Sequence, residues 1–297
     1  MDGTLPRPTL LLTICAAYVW AAAAQAASPE SDASGITFGR LAEPSSHRMD
    51  QTTRVGLSLK TQVRKQAEVL NKQQSQVTRN RRRVLEPALV EDGVATAAYV
   101  RYLRSESVHD GGEPKSDPIA GKSYYCRRVG DTIRVQTADG KTPPPEESRL
   151  VAENMETLGK PNPLAEYLAG KTVAIGDKLT LPAEVAQRLL GLGGALGEVT
   201  KFEMTLTKVA TVEDASCAVF LADIEAQRTD SSQMRMMVAG PMTIQAETCR
   251  AVSSELSGPI GMSHSLNDPR GRLQLDSTGR VEVRVSSRPA GRGVVAR

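Results

Sequence analysis

The chain has 297 residues, 40% hydrophobic and 24% charged, with a formal net charge of +3. That length can bury a core as one large or two small domains, and so small a charge creates no strong preference for acidic partners. Aromatic residues make up 3%, namely three Phe, six Tyr and one Trp, which disfavours carbohydrate binding and single-strand nucleic-acid binding, since both lean on aromatic stacking platforms.

Leu10 to Ala24 is an apolar run followed by Ala24-Gln25-Ala26, the small-x-small pattern of a signal-peptidase site. It is shorter than the ~20 apolar residues a membrane span needs. The expectation is a signal peptide over residues 1–26, cleaved between Ala26 and Ala27, and therefore a periplasmic or extracellular protein. An uncleaved anchor is the alternative. Cys15 follows bulky Ile14, a poor fit to lipidation, and no other stretch approaches transmembrane length. Residues 27–50 read as a mostly disordered leader with a short apolar patch at Ile36 and Phe38.

Export makes the cysteines informative. Cys126, Cys217 and Cys249 remain after cleavage, an odd number that allows at most one intramolecular disulfide. Cys217 and Cys249 lie in neighbouring predicted strands and are expected to pair, closing a loop of about 30 residues and contributing about 3–4 kcal/mol on the chain-entropy model. Cys126 is then a buried free thiol.

Between Arg54 and Val108, Val55, Leu57 and Leu59 alternate as in a strand, yet Leu59, Val63, Ala67 and Leu70 also fall at helical spacing. Pro87 and the poor helical pattern of Gln73–Leu89 favour a long two-stranded ribbon turning near Asn71. Arg79, Arg81, Arg82 and Arg83 read as a solvated basic strand face rather than a nucleic-acid patch. A strand is expected over Gly93–Tyr102 and a loop over Ser105–Pro118. Gly121–Cys126 and Thr132–Val135 then form a hairpin turning at Gly130-Asp131.

From Glu146 to Leu196 the period changes. Leu150, Met155 and Leu158 suggest one helix, Leu164–Leu168 a second and Ala183–Leu192 a third. Pro182 before the last and Gly191, Gly193 and Gly194 at its end match the proline-first, glycine-last asymmetry of helices. Lys171–Leu181 between the last two is extended. Gly191 to Gly197 resembles a phosphate-cradling loop, but it follows a helix and precedes a strand, the reverse of the required context. It reads as a helix stop.

Glu198 to Arg288 reads as consecutive strands. Phe202, Met204 and Leu206 alternate with polar residues, as do Ala218, Phe220, Ala222, Ile224 and Ala226, then Met242, Ile244 and Ala246. Period-2 patterning of this kind belongs to an antiparallel sheet packed on one side. Leu273 and Leu275, the polar Asp276-Ser277-Thr278-Gly279, then Val281, Val283 and Val285 predict a hairpin. Residues 289–297 are Gly- and Arg-rich, an expected disordered tail.

No catalytic group emerges. Gly261-Met262-Ser263-His264-Ser265 misses a nucleophile elbow, because Ser265 replaces the second glycine and no strand-to-helix turn is predicted. His47, His109 and His264 are scattered without ligand spacing. The expectation is a protein that is not an enzyme, with no cofactor or metal. One feature keeps a ligand in view: Met234, Met236, Met237, Met242 and Met262 cluster in adjacent strands. Met204, Phe220, Met234, Met236, Met242, Ile244 and Met262 either fill gaps in the core or line an apolar pocket, since methionine suits both.

The fold class is mainly β with a helical insert (α+β): one domain over 51–288, interrupted at 146–196, built as a curved antiparallel meander or half-open barrel covered by two or three short helices. The N-terminal apolar run, Gly121 to Cys126, Gly159-Lys160-Pro161-Asn162-Pro163-Leu164, and Ala215-Ser216-Cys217 to Cys249 resemble an uncharacterised family of exported bacterial proteins. That resemblance implies no assigned activity. In outline the chain is also similar to the periplasmic lipoprotein-carrier fold, a half-open antiparallel barrel with a helical lid. Two functions follow. One is a non-enzymatic protein holding an apolar or lipid-like ligand under the helices, in a cavity of about 300 Å³ or more. The other is an envelope or extracellular interaction protein with a solid core, meeting an envelope protein through an exposed apolar patch or sheet edge. Neither involves nucleic acid.

Overall fold

The structure is a computed structural model describing residues 35–39, 48–66, 68–190, 197–229, 232–268 and 271–290. A short strand β1 (Gly35–Thr37) is followed by the long β2 (Met49–Lys65), β3 (Glu68–Glu91) and β4 (Val94–His109), then β5 (Lys115–Ser116), β6 (Ser123–Val129) and β7 (Thr132–Thr137). The helical insert holds α1 (Pro145–Asn154) and α2 (Pro163–Leu168), strands β8 (Thr172–Ala174) and β9 (Lys178–Thr180), and α3 (Ala183–Leu190). The chain ends in β10 (Glu198–Val212), β11 (Ala215–Thr229), β12 (Ser232–Gln245), β13 (Ala251–Asp268) and β14 (Gly271–Pro289).

All of these strands except β1 and β8, which pair with each other, form one open 12-stranded antiparallel sheet. Its order is β7-β6-β4-β3-β2-β14-β13-β12-β11-β10-β9, with β5 on β4. The joint between β14 and β2 is the topological surprise: Val281 sits opposite Leu57 and Ser277 opposite Thr61. Their Oγ and Oγ1 hydroxyls hydrogen-bond at 2.8 Å. The sheet thus has two wings, β2–β7 and β9–β14, meeting at its middle.

One face of the β9–β14 wing carries the even-numbered side chains predicted to point inward. Phe202, Met204, Leu206, Phe220, Ile224, Met242 and Ile244 are buried against Leu164 and Leu168 of α2 and Leu189 of α3. Each such side chain contributes about 1.5–3 kcal/mol by leaving water. Ile36 and Phe38 join this core, with Phe38 stacked on Phe220 at 6.2 Å between centroids. The apolar patch of the leader is therefore structural. On the other wing, Leu85, Val100, Tyr102, Tyr124 and Cys126 pack under Val151, Met155 and Leu158.

Several expectations change. The β2–β3 ribbon reverses between Lys65 and Glu68, with Gln66 at φ 53°, while Asn71 is already paired with Val63. The expected loop at Ser105 is strand through His109, because Ser105, Glu106 and Ser107 pair with Arg81, Asn80 and Arg79. Asp276–Gly279 is not a turn: β14 runs straight through it. A Cβ on Gly279 would come 1.8 Å from the Ser58 carbonyl oxygen, so this glycine serves a close strand approach rather than a reversal.

The expected Cys217–Cys249 disulfide is absent; Cys126, Cys217 and Cys249 are all free and buried. Alternation puts Cys217 on the face opposite Ala218, where it packs on Val252, while Cys249 donates its thiol to the Gly39 carbonyl at 3.4 Å within the main core. The signal segment with Ala26 and Ala27, the glycine run 191–196 and the tail beyond 290 lie outside the described residues. Among the described residues no helix is long and apolar enough to cross a membrane.

Candidate ligand site

The helices do not cover the sheet evenly. Between the end of α1 and the α2–α3 pair lies a cavity of about 150 Å³. Met49 of β2, Leu85 of β3 and Ala98 of β4 form its sheet side, and Met155, Leu158, Leu164 and Leu189 its helix side. Arg83, Lys160, Arg188 and Arg250 also line it, and among the described residues no acidic side chain does. Of these cations, Arg188 is held by Glu166 at 2.6 Å and Lys160 by Glu156 at 3.4 Å, both in exposed pairs that contribute little.

The α1–α2 connection that roofs the cavity is the Gly159–Leu164 segment, and it is stitched to both wings. The Gly159 N–H donates to the Ala95 carbonyl at 2.8 Å, and the Arg128 guanidinium donates to the carbonyls of Glu156 and Leu158. Gly159 has φ +75°, and a Cβ there would meet Arg128 Cδ at 2.7 Å, so only glycine fits. Asn162 caps α2 by accepting from the Leu164 N–H at 3.0 Å, and its Nδ2 donates to the Cys249 carbonyl at 3.1 Å.

The start of α1 is fixed by one carboxylate. Glu147 accepts from Lys122 Nζ and from the buried Tyr124 hydroxyl, each at 2.6 Å. These two bonds, with Lys122 first, hold the Glu147 carboxyl below its ordinary pKa, and an acidic group in the first turn also suits the helix dipole. Burial, then the Glu147 bond, pushes Tyr124 upward.

The end of α1 meets the arginines of β3, and the solvated-face reading fails there. Arg82 does turn outward to Asp50, at 2.6 Å. Arg81 and Arg83 turn inward. Arg81 donates to the Asn154 side-chain oxygen; Arg83 donates to the Asn154 carbonyl at 2.6 Å and to Gln51 Oε1 at 2.8 Å. The last carbonyls of a helix carry partial negative charge, which is why the basic side chains gather at this end. Arg81 is 8% exposed, and burial pushes its pKa down to about 10. Tyr102 is fully buried and its hydroxyl is pushed up by desolvation, against the opposing charges of Arg83 and Arg81.

In register, Tyr102 lies opposite Arg83, Arg83 opposite Gln51, and Gln51 opposite Ser287. A polar row therefore crosses β4, β3, β2 and β14 on one face. Leu85 and Met49, on the sheet side of the cavity, form the next row along the same strands.

The seven expected pocket residues are elsewhere. Met204, Phe220, Met234, Met236, Met242 and Ile244 are buried in the main core, Met262 packs partly buried against it, and none lines the cavity. They act as gap-fillers, the plainer of methionine's two uses. Gly261–Ser265 lies within β13, where Ser263 donates to Asp276 at 2.9 Å. His109 ends β4 opposite Val77, His264 stands opposite Leu275 in β13, and His47 lies outside the described residues. Among the described residues no three His, Cys, Asp or Glu side chains converge to hold a metal.

Neither a protein-family model nor a curated protein matches this chain. A solved structure of lipovitellin and its lipid–protein interactions is similar at 7% identity over 84% of this chain, with a TM-score of 0.36. The match covers 26% of that chain, so this protein spans about a quarter of it. A structure of MucB in complex with MucA(peri) aligns at 10% identity over 82% of this chain and 91% of that one, with a TM-score of 0.08. At these scores neither likeness bears on what the chain binds.

Proposed function

We propose that this is an exported, non-enzymatic binding protein that takes an apolar or lipid-like ligand in the cavity between α1 and α2–α3. The observation that carries the reading is the cavity itself: an apolar interior with four cationic side chains and, among the described residues, no acid around it. Its ~150 Å³ is about half of the ~300 Å³ at the lower end of small-molecule sites. Apolar cavities of about this size accept a benzene-sized guest. The ligand therefore inserts a chain segment or a small ring, with the remainder outside.

The test is titration with the neutral fluorophore N-phenyl-1-naphthylamine. Ala98 faces the cavity and is buried, so Ala98→Phe fills part of the space. Micromolar binding to the parent, weakened at least tenfold in a folded Ala98→Phe variant, is the expected result. No binding to the parent sinks the proposal.

A second reading has one observation in its favour. On the outer face Tyr99 is 53% exposed and leans on Tyr125 at 5.2 Å, with Leu103 also exposed. Such a patch suits a protein partner. Crosslinking in the native envelope, lost on Tyr99→Ser, is the measurement that favours it.

A further inference from the structure

We infer that the ligand is an anionic amphiphile, whose carboxylate or phosphate head sits on the Tyr102–Arg83–Gln51–Ser287 row beside Arg81 while its apolar part enters the cavity. The inference rests on the proposal that the cavity takes an apolar ligand, and it adds the charge and placement of the head.

The row is a built site with an excess of donors. Gln51 is 5% exposed, Tyr102 is fully buried and Ser287 is almost so. Yet Gln51 Nε2, Arg81 Nε and the neighbouring Asn154 Nδ2 have no acceptor and the Ser287 hydroxyl has no partner. The Tyr102 hydroxyl faces Arg83, itself a donor, so its O–H also lacks an acceptor. An orphaned buried donor costs about 1–3 kcal/mol, so several together at one place call for a shared acceptor. Arg81 adds a charge: among the described residues it makes no ion pair. Asp117, the one carboxylate whose charge favours it, accepts from the Ser105 hydroxyl at 2.6 Å.

Water could satisfy hydrogen bonds here but would bring no charge. The end of α1 offers about half an electron, shared between two guanidinium groups. An oxyanion supplies both missing quantities, full negative charge and several lone pairs, and guanidinium is the side chain best shaped to meet it. The geometry also sets the ligand's shape. Same-face neighbours on a strand are about 6.6 Å apart, so the polar row and the Met49–Leu85 row require a head separated from the buried apolar segment by a few bonds. Arg83 belongs to both, since it stands in the row and lines the cavity.

The probes are dodecanoate, dodecanol and inorganic phosphate, below micellar concentrations, read by calorimetric titration and by the shift in melting temperature. Dodecanoate is expected to bind at least tenfold tighter than dodecanol, with the preference shrinking as salt rises. Arg81→Met should abolish that preference by lowering dodecanoate affinity toward that of dodecanol. Gln51→Leu, which removes the unpaired Nε2 donor together with the Oε1 that accepts from Arg83, should change the preference several-fold without changing the charge and serves if Arg81→Met does not fold. Equal binding of the two probes to the parent, or a preference that survives both variants, overturns the anionic head and leaves the cavity proposal standing. Binding of neither overturns both. Arg81-dependent stabilisation by phosphate alone, with no gain from the dodecyl chain, supports an oxyanion site and overturns the amphiphile.

Discussion

On the β9–β14 wing the covered face is Phe, Met, Leu, Ile and Ala, and it closes against α2, α3 and the β1–β8 pair as a solid core. On the β2–β7 wing the same layer holds Arg81, Gln51, Tyr102, Ser105 and Glu147 among a smaller apolar set. Apolar side chains are satisfied by any close-packed neighbour. Buried polar groups need partners of the right sign and direction. Where α1 supplies such partners, as Glu147 does for Tyr124 and Lys122, the wing is closed. Where α1 ends, donors are left over and the cavity opens. The candidate site therefore sits in the less apolar wing, away from the cluster of methionines.

Four measurements test this contrast. Phe220→Ala, in the middle of the solid core, should lower unfolding free energy by about 3–5 kcal/mol in urea titrations. A loss below about 1 kcal/mol means that this wing is loosely packed and the contrast is false.

Glu147→Gln removes the charge that anchors α1 and should cost about 1.5–3 kcal/mol at pH 7. Its carboxyl is held below the ordinary value of 4.5 in the folded protein. The stability it contributes is therefore present above that value and lost as pH falls through the lower folded one. Between pH 6 and pH 3 the parent should lose more stability than Glu147→Gln does; parallel acid limbs contradict the anchor.

Arg81→Met replaces a buried unpaired charge by an apolar chain. The ligand-free protein should stay as stable or gain about 1 kcal/mol. A large loss means Arg81 is already satisfied by Asn154 and the polar wing is complete without a ligand. The smallest effect expected is none: reducing agent should leave the melting temperature unchanged, because none of Cys126, Cys217 and Cys249 is paired. Burial pushes Cys126 up to about 12 and Cys217 and Cys249 up to about 11, so alkylation of the folded protein should be slow.

Much of the fold was readable from residue patterns. The three helices fall where the 3.6-residue period replaced the two-residue one, although α1 ends at Asn154, short of the expected Met155 and Leu158. The Gly130-Asp131 hairpin stands as expected, and the Lys171–Leu181 segment is two short strands broken by a turn at Gly176. The turn expected at Asp276–Gly279 misled because a glycine beside polar residues marks a reversal and a close strand approach alike. The Cys217–Cys249 pairing contradicted the alternation already visible at Ala218 and Phe220, which assigned Cys217 to the other face. The candidate site left one trace: the Gly159-Lys160-Pro161-Asn162-Pro163 run, whose dense punctuation marks a connection of fixed shape.

Periodicity, a property of near neighbours along the chain, was enough to separate most strands from the helices and to say which of their side chains share a face. What lies above that face is decided by residues far away in sequence. Leu57 meets Val281, and Arg81 and Arg83 meet Asn154, only once β2 and β14 close the middle of the sheet and α1 crosses the wing. A basic run on a strand reads the same whether water or a helix end covers it. Burial, unpaired charge and the cavity are products of assembly.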